Sequence, residues 1–216
     1  MKNLYQIYLS LEKKYKINAQ WRLWSKPFKN KSQREEVILG AILTQRTNWR
    51  NVELAIKNLK EAKVASLSAL CHLGPKKIAP LVRPAGFYQS KSRYLYGLAR
   101  FIMSRYGQIE KMKKAPLEKL RSELLKLKGI GPETADSILL YALDKPVFVI
   151  DEYTRRFLKK NYQRFFKKLK ISDKDSYERL QKFFENNLPR DVRLYQRFHA
   201  LIVIMAKSEL KGKEKR

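Results

Sequence analysis

The sequence predicts an all-α protein. Apolar residues recur at three- and four-residue spacing through nearly the whole chain. Capping and stop residues cut that pattern into segments of helical length. Only one run, Val147–Ile150, has strand character, and it is too short to define a sheet.

In chain order, Leu4, Ile7, Tyr8 and Leu11 share one face of a first helix. A loop with Trp21, Trp24, Pro27 and Phe28 follows. Ser32-Gln33-Arg34-Glu35 reads as a capping box opening an apolar helix through Val37–Leu43. Asn48 can cap a helix bearing Val52, Leu54, Ala55 and Leu59. Ser66–Leu73 is a short helix stopped by Gly74, and Lys76–Val82 another, stopped by Pro84 and Gly86. A long helix begins at Ser90 and carries Leu95, Leu98, Ile102 and Met103. Pro116 suits the first turn of a helix reaching Leu127. Gly129-Ile130-Gly131-Pro132 breaks the pattern before a helix over Glu133–Ala142. Further helices are predicted at Asp151–Lys160, Asp175–Asn187 and Asp191–Leu210, with a frayed basic tail from Lys211 to Arg216.

At 216 residues with 44% apolar content, the chain can bury a core as one domain or two small intertwined lobes. Apolar stretches such as Leu201–Ala206 are far below membrane-spanning length. The start, Met1-Lys2-Asn3-Leu4, carries no secretion signal pattern. Charge is the strongest compositional feature: 48 Lys and Arg against 20 Asp and Glu give +28. Such self-repulsion favours a polyanionic partner, nucleic acid above all. RNA-bound proteins share the excess, and Lys-rich thermophile proteins share part of it. With Cys71 as the one cysteine, neither an intrachain disulfide nor a four-cysteine zinc or iron–sulfur site can form, and an intracellular location is expected. His72 and His199 lack metal-ligand spacing, so no metal site is predicted.

The most informative stretch is Leu127-Lys128-Gly129-Ile130-Gly131-Pro132-Glu133-Thr134-Ala135. Two glycines around an isoleucine permit a tight turn and close backbone approach to a ligand. The helix that follows would point free N–H groups at an anion, here a DNA phosphate. Such contacts position a protein on a duplex without reading its sequence. A bare G-x-G would be an ordinary helix corner. The full Leu-x-Gly-Ile-Gly-x-x-Thr-Ala pattern in so basic a chain favours DNA.

At these residues the chain resembles the helix-hairpin-helix DNA glycosylase superfamily, the endonuclease III group. Three blocks carry the likeness. Leu39-Gly40-Ala41-Ile42-Leu43-Thr44-Gln45 is similar to the helix whose glutamine probes the gap left by a flipped base. Gly86-Phe87-Tyr88-Gln89-Ser90-Lys91 is similar to the family's G-[LF]-Y-x-x-K turn. The third block runs from the hairpin to Val149-Ile150-Asp151, where a short apolar run precedes the family's catalytic aspartate. The blocks span Glu35 to about Lys160.

The resemblance implies a two-lobed helical fold: residues 31–142 as a barrel lobe ending in the hairpin, and residues 1–30 with 143–216 as the second lobe, Asp151 lying at the cleft between them. It implies damaged double-stranded DNA as partner, action as a monomer, and a cytoplasmic, nucleoid-associated setting. It also allows a monovalent cation on hairpin carbonyls. Two departures narrow it. Members with lyase activity carry a lysine just after the hairpin, where this chain has Glu133, and a carboxylate cannot form the imine. The iron–sulfur ligands of endonuclease III are missing. Among branches with neither feature, the likeness is to bacterial 3-methyladenine DNA glycosylases of the endonuclease III-like type, a reading that Arg197-Phe198-His199 and the Trp-rich loop support.

Asp151 is therefore the expected catalytic group, stabilising positive charge on the sugar and orienting water; taken alone it would read as a helix N-cap. Trp21, Trp24 and Trp49 are candidate faces for the flipped base, or core packing. Lys91, Arg46 and Lys128 are candidate phosphate contacts. Lys207, on the apolar last helix, could approach the site. Three functions follow: a monofunctional glycosylase for alkylated purines; a glycosylase for another lesion, with lyase activity from another lysine such as Lys126 or Lys128; and a non-catalytic DNA- or RNA-binding protein.

Overall fold

The computed structural model describes residues 3–213. Its α-helices are α1 (Leu4–Lys14), α2 (Ala19–Trp24), α3 (Lys31–Leu43), α4 (Trp49–Glu61), α5 (Leu67–Leu73), α6 (Pro75–Leu81), α7 (Tyr88–Tyr106), α8 (Ile109–Lys114), α9 (Leu117–Leu125), α10 (Pro132–Ser137), α11 (Glu152–Lys160), α12 (Gln163–Lys168), α13 (Tyr177–Asn186) and α14 (Val192–Lys213). A 3-10 turn, Arg83–Ala85, precedes α7, and a π turn, Ile138–Ala142, follows α10. No strand occurs among the described residues, so the all-α expectation holds.

The chain forms two compact units. One runs Phe28–Lys145; the other takes the described residues up to Pro27 and from Pro146 onward. In the Phe28–Lys145 unit, α7 lies against α3, α5, α6 and α8, and the π turn lies against α3. Core residues Val37, Leu39, Val52, Leu70, Ile78, Leu98, Ile102 and Leu139 are all within 1% of complete burial. A charged cluster holds the two ends of this unit. Asp144, in the left-handed region at φ 51°, meets Arg34 at 2.8 Å, Lys113 at 2.7 Å and Lys29 at 3.9 Å. Burial pushes the Asp144 carboxyl upward, but those three cations hold it below the ordinary carboxylate range.

In the other unit, α14 is flanked by α1 and α11. Its core is aromatic: Phe148 stacks on Phe184 at 4.3 Å, and Phe198 sits edge-on to Phe148, Phe157 and Phe184. The Val147–Ile150 run is buried and extended, but it has no partner strand. Side chains of α13 take the ladder's place. Phe148 N–H donates to Glu185 Oε1 at 2.8 Å, Gln181 Nε2 donates to Phe148 O at 2.7 Å, and Ile150 N–H reaches the Tyr177 hydroxyl at 3.4 Å. Those three residues recur every four positions, so one helix face satisfies the buried backbone that a sheet would otherwise satisfy.

Several expectations are corrected. The Trp21–Trp24 loop is the short helix α2, formed because the two rings, three residues apart, bury on one face. The box that opens α3 is Asn30 with Gln33, not Ser32 with Glu35: Asn30 accepts from Gln33 N–H, and Gln33 answers the Asn30 backbone. Helices α8 and α12, six residues each, are too short for periodicity to reveal. The expected helix over Glu133–Ala142 changes to a π turn at Ile138, where five successive side chains bury completely. The last helix extends through Lys213, past the expected end at Leu210. Of the expected basic tail, residues 214–216 lie outside the described residues.

Candidate active site

The hairpin closes with Ile130 N–H donating to Leu127 O at 3.2 Å, and Ile130 is buried beneath it. Its glycines do different work. Gly129 sits at φ 82°, and a Cβ there would fall 2.4–2.5 Å from the Tyr94 ring. Gly131 has ordinary extended geometry, φ −88° and ψ 178°, and a Cβ would meet nothing within 4 Å. Folding thus demands glycine at 129. At 131 glycine leaves bare, exposed backbone at the start of α10, next to the exposed Lys128 and Glu133. Arg121 clamps Asp136 with Nε to Oδ1 at 2.8 Å and Nη2 to Oδ2 at 3.1 Å, tying α9 to α10 across the turn.

Gln45 lies one residue past the α3 C-cap and joins the hairpin directly. Its Nε2 donates to Gly129 O at 2.9 Å and to Thr134 Oγ1 at 3.0 Å. The structure thus brings Gln45, Gly129 and Thr134 together. Arg46 beside them is exposed and left-handed at φ 52°. Lys91 is a correction: it is only 2% exposed and cannot meet a phosphate where it stands. Its Nζ donates to Leu43 O at 2.8 Å and Ala85 O at 2.7 Å, stitching the end of α3 to the turn before α7. Burial lowers its pKa to about 8. Phe87 was not singled out. Its ring is 64% exposed and its backbone left-handed at φ 45°, between Gly86 and the start of α7. A bulky aromatic held exposed in that region is uncommon, and Phe28, at φ 54°, shares it; the Gly86-Phe87 pair was the available signal.

In the other unit, Asp151 ends the buried apolar run and caps α11. Its Oδ1 accepts from Thr154 N–H at 2.7 Å and from the Thr154 hydroxyl at 2.9 Å. Its Oδ2 lies 3.3 Å from His199 Nε2, within reach of a hydrogen bond or an ion pair. Burial drives the Asp151 carboxyl upward; the charge of His199, with the Thr154 donors, outweighs it and holds the group below its ordinary value. Thr154 carried no sequence signal beyond its place three residues after a cap.

Trp21 and Trp24 are each 6% exposed and meet edge to face at 5.7 Å. Trp21 also meets the His199 ring edge-on at 5.7 Å, so one tryptophan borders the Asp151 pair. Trp49, the first residue of α4, belongs to the unit that holds Gln45 and the hairpin. Lys207 lies over the Tyr153 ring at 5.5 Å, two residues from Asp151. Among the described residues no three His, Cys, Asp or Glu side chains gather to hold a metal. With a single cysteine the chain cannot hold a four-cysteine cluster. No helix among the described residues is long and apolar enough to cross a membrane.

Comparison with known proteins agrees with this arrangement. Residues 39–190 match the model of the HhH-GPD superfamily of base excision DNA repair proteins, more than half the chain. A candidate DNA repair glycosylase of Methanocaldococcus jannaschii is 45% identical over 172 residues, covering 79% of this chain and 75% of that protein. The crystal structure of a Helicobacter pylori 3-methyladenine DNA glycosylase bound to 1,N6-ethenoadenine superposes with TM-score 0.79 at 32% identity, covering 96% of this chain and 99% of that one. An endonuclease III trapped covalently on DNA shares the fold at TM-score 0.70 and 19% identity, over 94% of this chain and 85% of that one. The chain belongs to the HhH-GPD superfamily of base excision DNA repair proteins, the helix-hairpin-helix DNA glycosylases.

Proposed function

We propose that this glycosylase is monofunctional and removes alkylated purines such as 3-methyladenine from duplex DNA, with Asp151 as its catalytic carboxylate. The observation that carries the reading is the Asp151 site: a largely buried carboxylate kept ionised by Thr154 and His199. The duplex is held through phosphate contacts at the exposed Lys128 and the hairpin backbone at Gly129 and Gly131, while the buried Ile130 and Thr134 shape the turn and Gln45 faces the gap left by the flipped base. Phe87 is an apolar wedge for the duplex, since exposed aromatics can enter a base step and unstack it. The lesion must leave the stack to react. Trp21 and Trp24, in the unit that carries Asp151, supply its aromatic surroundings, where a cationic purine gains about 0.5–2 kcal/mol.

In the reaction, the bond between C1′ and the purine nitrogen breaks and its electron pair leaves with the base. A cationic alkylpurine thereby departs neutral, without needing an acid. Positive charge builds on the sugar, and the Asp151 carboxylate stabilises it. Water adds its oxygen to C1′ and gives one proton to solvent. Glu133 stands where lyase relatives have their amine, so no imine forms there. The 32% identity with the H. pylori enzyme along nearly both whole chains supports the alkylpurine assignment.

The test is incubation with methylated duplex DNA, chromatography of released bases, and borohydride trapping. Release of 3-methyladenine without a trapped adduct is expected, together with loss of activity in Asp151→Asn. A covalent adduct would sink the monofunctional reading. Wild-type rates in Asp151→Asn would remove Asp151 from the chemistry.

A further inference from the structure

Capping alone does not account for the surroundings of Asp151. A cap needs one side-chain oxygen accepting from the third backbone N–H, and serine or asparagine serves as well. Oδ1 already meets that need through Thr154. The second oxygen faces a buried imidazole, 4% exposed and reached from another helix 48 positions away in sequence (199 − 151). We propose that His199 is the positioning residue of this glycosylase: its Nε2, 3.3 Å from Asp151 Oδ2, holds the carboxylate in one orientation and keeps it in the charged form that the reaction uses. The inference rests on the assignment of Asp151 above.

The physical case has three parts. A carboxylate drawn out of water tends to take up a proton, and a neutral Asp151 could not stabilise a sugar cation. Thr154 contributes neutral donors, both to Oδ1. His199 is thus the group at Oδ2 able to carry a positive charge. Its ring is itself held, edge-on to Trp21 at 5.7 Å and to Phe148 at 6.4 Å. Neighbouring buried α14 residues Tyr195, Phe198 and Ile202 fix the helix that carries it. Ionisable groups beside Tyr153, two residues from Asp151, include Glu152 and Arg156 on α11 and Lys207 on α14. Arg156 and Lys207 both lie at the Tyr153 ring, at 5.8 and 5.5 Å, and Arg156 also pairs with Glu152. The Tyr153 hydroxyl is pushed upward by burial and by the Asp151 charge, so it stays neutral across the working range.

The test follows the Asp151 carboxyl itself, by 13C NMR titration of the full-length protein, beside single-turnover base release from methylated duplex DNA across pH. In wild type, the Asp151 midpoint should lie below that of an ordinary aspartate; a midpoint at or above the ordinary value overturns the proposal without any variant. In His199→Gln, which keeps a donor and loses the charge, the Asp151 midpoint should rise. The acid limb of the rate profile should rise with it, while the plateau rate stays within a few-fold of wild type. His199→Ala should lower the plateau as well, because the orienting donor is gone. An unmoved Asp151 midpoint in His199→Gln overturns the role of His199, even where Asp151→Asn is inactive. An Asp151→Asn enzyme with wild-type rates overturns the assignment of Asp151 instead, and the two failures are read from different variants.

Discussion

Replacing Gly129 by alanine tests whether the hairpin is built as described. Two costs add. A non-glycine residue at φ 82° adopts left-handed backbone, at roughly 1–2 kcal/mol. The new Cβ also lies 2.4–2.5 Å from three atoms of the Tyr94 ring, well inside van der Waals contact, and forcing that ring aside costs about 1–3 kcal/mol. Gly129→Ala should therefore lose roughly 2–5 kcal/mol, a large fraction of the ~5–15 kcal/mol typical of a domain. Urea denaturation followed by circular dichroism measures the loss. A double-mutant cycle separates the two causes. Removing the ring in Tyr94→Ala should recover the steric part, so the double variant should lie about 1–3 kcal/mol above the additive expectation. Alanine at Gly131, with ordinary φ and open space, should be nearly neutral for stability and should weaken DNA binding instead. The reasoning is refuted if Gly129→Ala is within about 0.5 kcal/mol of wild type, or if its cost adds strictly to that of Tyr94→Ala.

Three further outcomes are expected. Asp144→Asn leaves Arg34 and the fully buried Lys29 side chain without their carboxylate and should cost about 3–5 kcal/mol by denaturation; a cost below about 1 kcal/mol would show the cluster to be a solvent-screened surface pair. Lys91 has a folded pKa of about 8 against 10.5 for the free side chain, so between those values the unfolded chain holds the extra proton and raising pH favours the folded state; from pH 7.5 to 10, wild type should gain about 2 kcal/mol relative to Lys91→Met, and a constant difference would exclude a buried, strained ammonium. Non-specific duplex affinity should fall steeply with salt, and a flat plot of log K against log salt would contradict a phosphate-based interface.

The sequence made some features legible and hid others for physical reasons. Asn48, Ser66 and Asp151 sit where a local rule places a cap, because a capping bond spans only three residues. The rule misplaced the start of α3 because Asn30 and Ser32 both offer the pattern, and which one wins depends on where the chain meets its unit. Lys91 lies in a recognisable block, yet its burial is invisible in sequence: a lysine in a basic chain reads as a surface charge until its carbonyl partners are seen. The two hairpin glycines look equivalent on paper, and only the Tyr94 ring distinguishes them. His199 was noted without its partner, since a contact between α14 and the start of α11 has no local signature.

The placement of the chain ends has a consequence for biosynthesis. Arg197 on α14 reaches Glu12 on α1 at 2.6 Å across a sequence separation of 185 residues, whereas Phe28–Lys145 closes upon itself. As the polypeptide leaves the ribosome, the inserted unit has every residue it needs once Lys145 emerges. α1 must wait for α14 to emerge. Throughout that interval Leu4, Ile7, Tyr8 and Leu11 have no α14 to cover them, so the nascent chain carries an apolar ridge on α1 until α14 emerges. Removal of α14 should therefore leave the apolar face of α1 uncovered while the contacts within Phe28–Lys145 remain.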